Sequence, residues 1–264
     1  MRKRFLLFVA LLFVATSTQA SEIKMIFWYP GEAGSTIEGQ PVLDAFFDYV
    51  NKNIAPSKIA GKYFNTTDGG LQFISKQKPA LGIVSYAAWE ANRQKFPNAQ
   101  IWLATNPLPH GQKEEKYILV GRSPSPPPLS PLGRGMGEGL VFSSEPLSTD
   151  FISNILGLTR AQKMTPTQTP QILFKLRSIA GGTVTGRAIL TPNEGATLAK
   201  MTVPWTKSLS TIQQSRPVPT ARFVLFSPIP KDADKLRQVL INMRNDPEAK
   251  EILNEMRLLG FSEP

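Results

Sequence analysis

Residues 61–93, GKYFNTTDGGLQFISKQKPALGIVSYAAWEANR, decide the fold class. The segment reads as strand, helix, strand, helix. Tyr63 and Phe64 close a short extended run, and Thr67-Asp68-Gly69-Gly70 breaks it. Leu71, Phe73 and Ile74 give the next element an apolar side. Lys78-Pro79 stops that element, because proline lacks an amide and drives its predecessor out of the helical region. Ala80-Leu81-Gly82-Ile83-Val84 is then apolar at every position, as a parallel strand covered on both faces requires. It ends at Ser85-Tyr86, where a helix bearing Trp89 begins. Ligands of open α/β sheets lie beyond the carboxyl ends of the strands, which places Asn65, Thr66, Thr67, Ser85 and Tyr86 on one rim.

Upstream, residues 23–29 (IKMIFWY) form an apolar strand, and Tyr29 at its end is the counterpart of Tyr86. A loop, PGEAGSTIEG, leads to a helix expected over about Pro41–Asn51, with Leu43, Phe46, Phe47 and Val50 at helical spacing. Downstream, residues 101–104 and 117–120 read as strands around the polar turn NPLPHG. A second block repeats the pattern. Strand 140–142 is followed by a helix with Phe151, Ile152, Ile155 and Leu156 on one face, ended by Gly157. Thr169-Pro170 caps a helix carrying Ile172, Leu173, Leu176 and Ile179. Gly181-Gly182 ends it, strand 183–190 follows, and Thr191-Pro192-Asn193-Glu194 is a capping box that opens another helix. Residues 222–226 are a further strand, and two helices are expected to close the chain, the second stopping at Gly260. The alternation predicts an α/β protein with two lobes, each a mostly parallel sheet flanked by helices. The lobes divide as 21–115 and 116–216, with 217–264 returning to pack on the first lobe or the hinge. Crossings are expected near Leu108–Lys116 and Ser215–Thr220.

The first 20 residues, MRKRFLLFVALLFVATSTQA, have a basic start, an apolar run and a small-residue cleavage site. They read as an export signal, leaving 244 residues bound for the periplasm. The 264-residue chain carries a formal charge of +10, of which Arg2, Lys3 and Arg4 supply three. It has no cysteine, which excludes disulfides, thiolate metal sites and thiol nucleophiles. No run of five basic residues or nucleic-acid motif is present, so nucleic acid is not an expected partner. His110, the only histidine, sits in a turn with no nucleophile elbow in the chain, so neither catalysis nor a cofactor is expected. Residues 123–139, SPSPPPLSPLGRGMGEG, lack any periodicity and cannot form a packed element.

Three stretches resemble the substrate-binding proteins of phosphate, phosphite and phosphonate ABC transporters, the PhnD-like members of the type II periplasmic binding proteins. They are ALGIVSY at 80–86, SRPVP at 215–219 with the strand after it, and LINMRNDPEAKEILNEMRLLGF at 240–261. The resemblance implies a monomeric, exported, two-lobed protein. It would capture a small anionic or polar solute for a membrane permease, without a metal or a reaction. Three rival readings stay open: the same fold serving a membrane sensor, an exported hydrolase, and a copy that has lost binding. Two departures leave the solute open. Ser148-Thr149-Asp150-Phe151 stands where the family has a Ser-Thr-Ser-Gly-like helix start, and Arg187 stands near a position usually acidic. The expected ligand-binding residues are Tyr29, Thr66, Thr67, Ser85, Tyr86, Ser148, Thr149 and Arg187. The helix start at 148–149 offers free amides and Arg187 a planar fork for an anion. Each hydroxyl competes with a plain capping role, and each tyrosine with packing.

Overall fold

The computed structural model describes residues 22–32, 35–123, 139–158, 164–169, 171–226 and 229–264. The expected export signal, Pro170 and most of the Pro-rich stretch (124–138) lie outside the described residues.

Strand β1 (Glu22–Trp28) is buried at Ile23 and at every position from Met25 on, as a central strand must be. Helix α1 (Thr36–Ile54) begins five residues before the expected Pro41. Ser35 and Glu38 form a capping box there, with Ser35 N donating to Glu38 Oε2 at 2.7 Å, and Pro41 is absorbed inside the helix. Strand β2 (Lys58–Phe64), helix α2 (Thr67–Gln77), strand β3 (Leu81–Val84) and helix α3 (Tyr86–Asn92) follow, then β4 (Gln100–Pro107). Lys78 adopts the left-handed C-cap conformation ahead of Pro79. The chain crosses through β5 (Glu114–Glu115) into β6 (Ile118–Arg122). The second lobe holds β7 (Gly139–Ser143), α4 (Thr149–Leu156), β8 (Met164–Gln168), α5 (Ile172–Ala180), β9 (Arg187–Leu190), α6 (Pro192–Lys200) and β10 (Leu209–Gln214). The return runs through β11 (Val218–Pro219) into β12 (Arg222–Leu225), α7 (Ala233–Asn242), α8 (Pro247–Glu255) and β13 (Leu258–Ser262).

One sheet has the order β13-β4-β12-β3-β1-β2 and the other β10-β6-β9-β7-β8, while β5 and β11 pair antiparallel between them. Both larger sheets are mixed, which corrects the expectation of mostly parallel ones. In the first, β1 pairs parallel with β2 and β3, but β12 inserts antiparallel between β3 and β4, and β13 runs antiparallel to β4. The cause is connectivity. β4 leaves the lobe towards the crossing and β12 enters from it, so the two must run in opposite directions. In the second sheet β7 pairs parallel with β8 and β9, whereas the entering β6 and leaving β10 run antiparallel.

The chain closes with a strand rather than a helix reaching Gly260. Helix α8 ends at Glu255, Arg257 turns the chain at φ 57°, and residues 258–262 take the sheet edge. β8, unforeseen, contains Pro166 and accordingly occupies an edge.

Each larger sheet is packed on both faces. On the first, Phe27, Phe46, Val50, Ile83, Phe223, Leu240 and Phe261 fill the side under α1, α7 and α8. Ile26, Trp28, Ile74, Trp89 and Val224 fill the side under α2 and α3. In the second, Val141, Ile152, Ile155 and Ile189 lie on one face, and Phe142, Leu176, Ile179 and Leu190 on the other.

Candidate functional site

The sheet directions aim strand ends at the crossing from both sides. In the second sheet Ile118, at the start of β6, pairs with Leu190, at the end of β9. The carboxyl ends of β7, β8 and β9 therefore face the hinge, opposite the carboxyl ends of β1, β2, β3 and β4. The lobes touch at this rim. Gly31 (φ +90°) packs on the Ser144 carbonyl so closely that a Cβ there would lie 2.2 Å from the oxygen, so only glycine fits. Across the same boundary the Tyr86 ring meets Phe151 at 6.1 Å, and Tyr117 backs Phe151 at 6.0 Å within the second lobe.

A cavity of about 320 Å³ lies between the lobes. The first lobe contributes Tyr29, Glu32, Tyr63, Ser85 and Tyr86, the second Glu145, Thr191 and Asn193. The crossing segments contribute Glu115, Tyr117, Thr220 and Ala221, and the C-terminal segment Glu255, Met256, Arg257 and Leu258.

The chain positions these groups through strand ends and hinge bonds. Tyr29 N donates to Phe64 O at 2.9 Å, extending the β1–β2 pairing by one residue. Tyr117 N donates to Ser215 Oγ at 2.9 Å, and Thr220 Oγ1 donates to Thr105 O at 2.8 Å, so each crossing segment is tied to its neighbour. Glu145 follows β7, and its own amide donates to Ser143 Oγ at 3.2 Å.

The electrostatics are dominated by carboxylates. Glu145 is 9 % exposed, and its Oε2 accepts the Tyr117 hydroxyl at 2.7 Å. Burial pushes its pKa up to about 8, with the Tyr117 hydrogen bond opposing and the charges of Glu115, Glu194 and Glu32 reinforcing the rise. Glu115, on the crossing strand, is pushed up to about 7 by burial and then by Glu32. Glu32 is raised by burial and partly relieved by Arg257, whose Nη1 stands 3.8 Å from Glu32 Oε1. Burial also raises Tyr29 and Tyr117 well above the ordinary phenol range and Tyr63 to about 12, so all three are neutral.

Of the residues expected from sequence, Tyr29, Ser85 and Tyr86 line the cavity. The other five do not. Thr66 caps α2, accepting from Gly69 N at 3.3 Å. Thr67 opens that helix, and its buried hydroxyl has no hydrogen-bond partner among the described residues. Ser148 caps α4, accepting from Phe151 N at 3.1 Å, and Thr149 is the first residue of that helix. Arg187 opens β9, whereas the end of that strand facing the hinge is Leu190, so its guanidinium starts from the far end of the lobe. That placement corrects the expectation of an arginine at the cleft, and its reason is strand direction.

Glu32, Glu115, Glu145, Tyr63, Tyr117 and Asn193 were not expected. The strand-end rule that selects Tyr29 also covers Glu32, three residues on, and Glu145, two residues past β7. Neither is a donor to an anion, which is why a site expected to hold an anion leaves them out.

No protein-family model matches the chain, and no curated protein sequence matches it. Solved structures do. A protein from Xanthomonas citri bound to ATP superposes with a TM-score of 0.69 at 14% identity, over 93% of this chain and 91% of that one. PhnD1 from Prochlorococcus marinus in complex with methylphosphonate gives 0.62 at 13% identity, covering 92% of each. A binding-protein component of an ABC phosphonate transporter from Pseudomonas aeruginosa gives 0.61 at 12% identity, over 93% of this chain and 82% of that one. The chain therefore has the two-lobed α/β fold of type II periplasmic binding proteins. Phosphonate-transporter binding proteins are among its structural neighbours, as residues 80–86, 215–219 and 240–261 suggested.

Proposed function

We propose that this protein is an exported solute-binding protein that captures a small polar solute between its lobes and presents it to the membrane permease of an ABC importer. One observation carries the reading. The interlobe cavity is lined at once by both lobes and by the two crossing segments. A solute there would contact every part of the molecule that moves when such a cleft opens, so its binding energy would favour the closed form. The Gly31–Ser144 approach and the Tyr86–Phe151 ring contact belong to that closed form. Binding requires no chemistry of the protein. The lobe division at about 115 and 216 belongs to this reading, as do export through residues 1–20 and action as a monomer. The phosphonate-transporter neighbours support the transport assignment by analogy of fold.

The test is a thermal-shift screen of residues 21–264 against phosphate, methylphosphonate, sulfonates, carboxylates, sugars, amines and guanidines. A solute at a hundred times its dissociation constant stabilises by about 2.7 kcal/mol. A clear rise in Tm with one solute class, saturating at one molecule per chain, is the expected result. No shift with any class overturns the reading.

A further inference from the structure

From the cavity's lining we infer that its solute is a small organic cation, carrying an amine, guanidinium or quaternary ammonium group held between Glu32, Glu115, Glu145 and the faces of Tyr29, Tyr63 and Tyr117. The inference rests on the solute-binding reading and sharpens it.

The charge distribution is the first argument. The chain has 30 Lys and Arg against 20 Asp and Glu, yet the charged residues lining the cavity are Glu32, Glu115, Glu145, Glu255 and Arg257. Arg257 already faces Glu32 from an exposed position. Arg222, at the start of β12, acts on Tyr86 and Glu114, and is not among the charges that shift Glu32, Glu115 or Glu145. It does not neutralise the carboxylates.

The second argument is the state of the carboxylates. Glu145 is nine-tenths buried, its side chain bonds to a neutral phenol, and it has no ion pair among the described residues. The Glu115 side chain, beyond its β5–β11 backbone pairing, has neither hydrogen bond nor ion pair among the described residues. Without a counter-charge these carboxyls keep their protons near neutrality, and a cation in the cavity is what would favour their ionised forms. The cation is not a bare metal ion, because no group of three or more His, Cys, Asp or Glu among the described residues could hold one. The carboxylates are instead spread round a cavity large enough for an organic molecule, beside aromatic rings whose faces attract ammonium groups.

A cation binds the ionised carboxylates, so binding expels the protons that Glu115 and Glu145 retain near neutrality. The groups facing this pair are Glu32, Glu194, Tyr29, Tyr63, Tyr117 and, beyond Glu32, Arg257. Affinity for a cation therefore rises with pH up to about 8 and then levels off. An anion would need these carboxyls protonated as donors, and its affinity would fall over the same range.

The experiment is calorimetry with residues 21–264 at pH 6.0, 7.0 and 8.5 in 0.15 M salt. The probes are choline, agmatine and 1,4-diaminobutane, with phosphate, methylphosphonate and glucose for comparison. Choline keeps its charge at every pH. The expected result is that at least one cation binds, about tenfold or more tightly at pH 8.5 than at pH 6.0, with heat that depends on the buffer's ionisation enthalpy. Glu145→Gln and Glu115→Gln, each confirmed folded by circular dichroism, should each weaken that binding about tenfold or more and remove part of the pH dependence. Binding of phosphate, methylphosphonate or glucose with no cation bound overturns the inference and leaves the solute-binding reading standing. Cation binding that neither substitution weakens also overturns it. Binding by none of the probes overturns the inference, and the solute-binding reading then stands or falls with the thermal-shift screen.

Discussion

Glu145→Gln should make the protein more stable at pH 8, although it removes a charge hydrogen-bonded to Tyr117. Folded Glu145 keeps its proton up to about pH 8, against an ordinary value of 4.5. Between those values the folded state binds more protons than the unfolded state, so raising the pH drains stability. The contribution is complete below about pH 4.5 and gone above about pH 8. At about 1.36 kcal/mol per decade this interval corresponds to on the order of 5 kcal/mol, a large share of a typical domain's stability. The amide of the variant would still offer an oxygen to the Tyr117 hydroxyl and carries no charge to desolvate. The assay is urea denaturation of parent and variant at pH 5, 6, 7, 8 and 9 without added solute. The parent's stability should fall by roughly 1 kcal/mol per pH unit towards pH 8. The variant's should fall less, its remaining slope belonging to Glu115 and Glu32, and the curves should cross. Parallel profiles would show that Glu145 is not held protonated, and the account of the cavity's electrostatics would be refuted.

Gly70→Ala should destabilise by about 1–3 kcal/mol in chemical denaturation, because an added Cβ would meet the buried Trp28 indole at 2.2 Å. It should also disturb the Trp28 Nε1 hydrogen bond to Thr66 O, visible in tryptophan fluorescence. Unchanged stability would mean that helix and indole are not packed as described. Replacing residues 124–138 by eight Gly and Ser residues should leave Tm nearly unchanged. Arg122 and Gly139 both end strands at the side of the second sheet away from the hinge. Their strands are two spacings apart, roughly 10 Å, which a few extended residues span. Cooperative loss of folding would show that the stretch contributes to the core.

The fold was legible where local chemistry and tertiary packing agreed. The unbroken apolar run 81–84 is a central strand pairing β1 on one side and β12 on the other. The capping box at Thr191 forms with both of its hydrogen bonds. Misreadings fell where one signal overrode another. Pro41 reads as a helix start, yet Ser35 and Glu38 set the start earlier and leave proline to be tolerated inside. The sequence 258–262 reads on from the helix before it, although Arg257 breaks that helix and the edge beside β4 is open to pairing. Strand direction was not legible. It depends on which strand enters a lobe and which leaves it, a property of the whole path of the chain.

The candidate site shows the same limit more sharply. Tyr29, Ser85 and Tyr86 could be found because each ends a recognisable strand. Glu115 could not, since Glu114-Glu115 is a two-residue crossing strand with no periodicity, and its place in the cavity exists only because β11 pairs with it on the way back. Glu145 was within reach of the strand-end rule, but its chemistry was not. An isolated glutamate in SSEP reads as a solvated acid. It becomes a proton-holding group only when β7 delivers it beside Tyr117, which follows the first crossing, and when Glu115 and Glu32 bring further negative charge. The net charge of the chain pointed the other way, because total charge records the solvated surface and says nothing about what the fold gathers inside. Residues near positions 30, 115, 145 and 190 meet only after the chain has crossed between the lobes. The character of the site therefore follows from the crossing, and a reading confined to local motifs finds helix caps such as Ser148 and Thr66 and passes over the carboxylates.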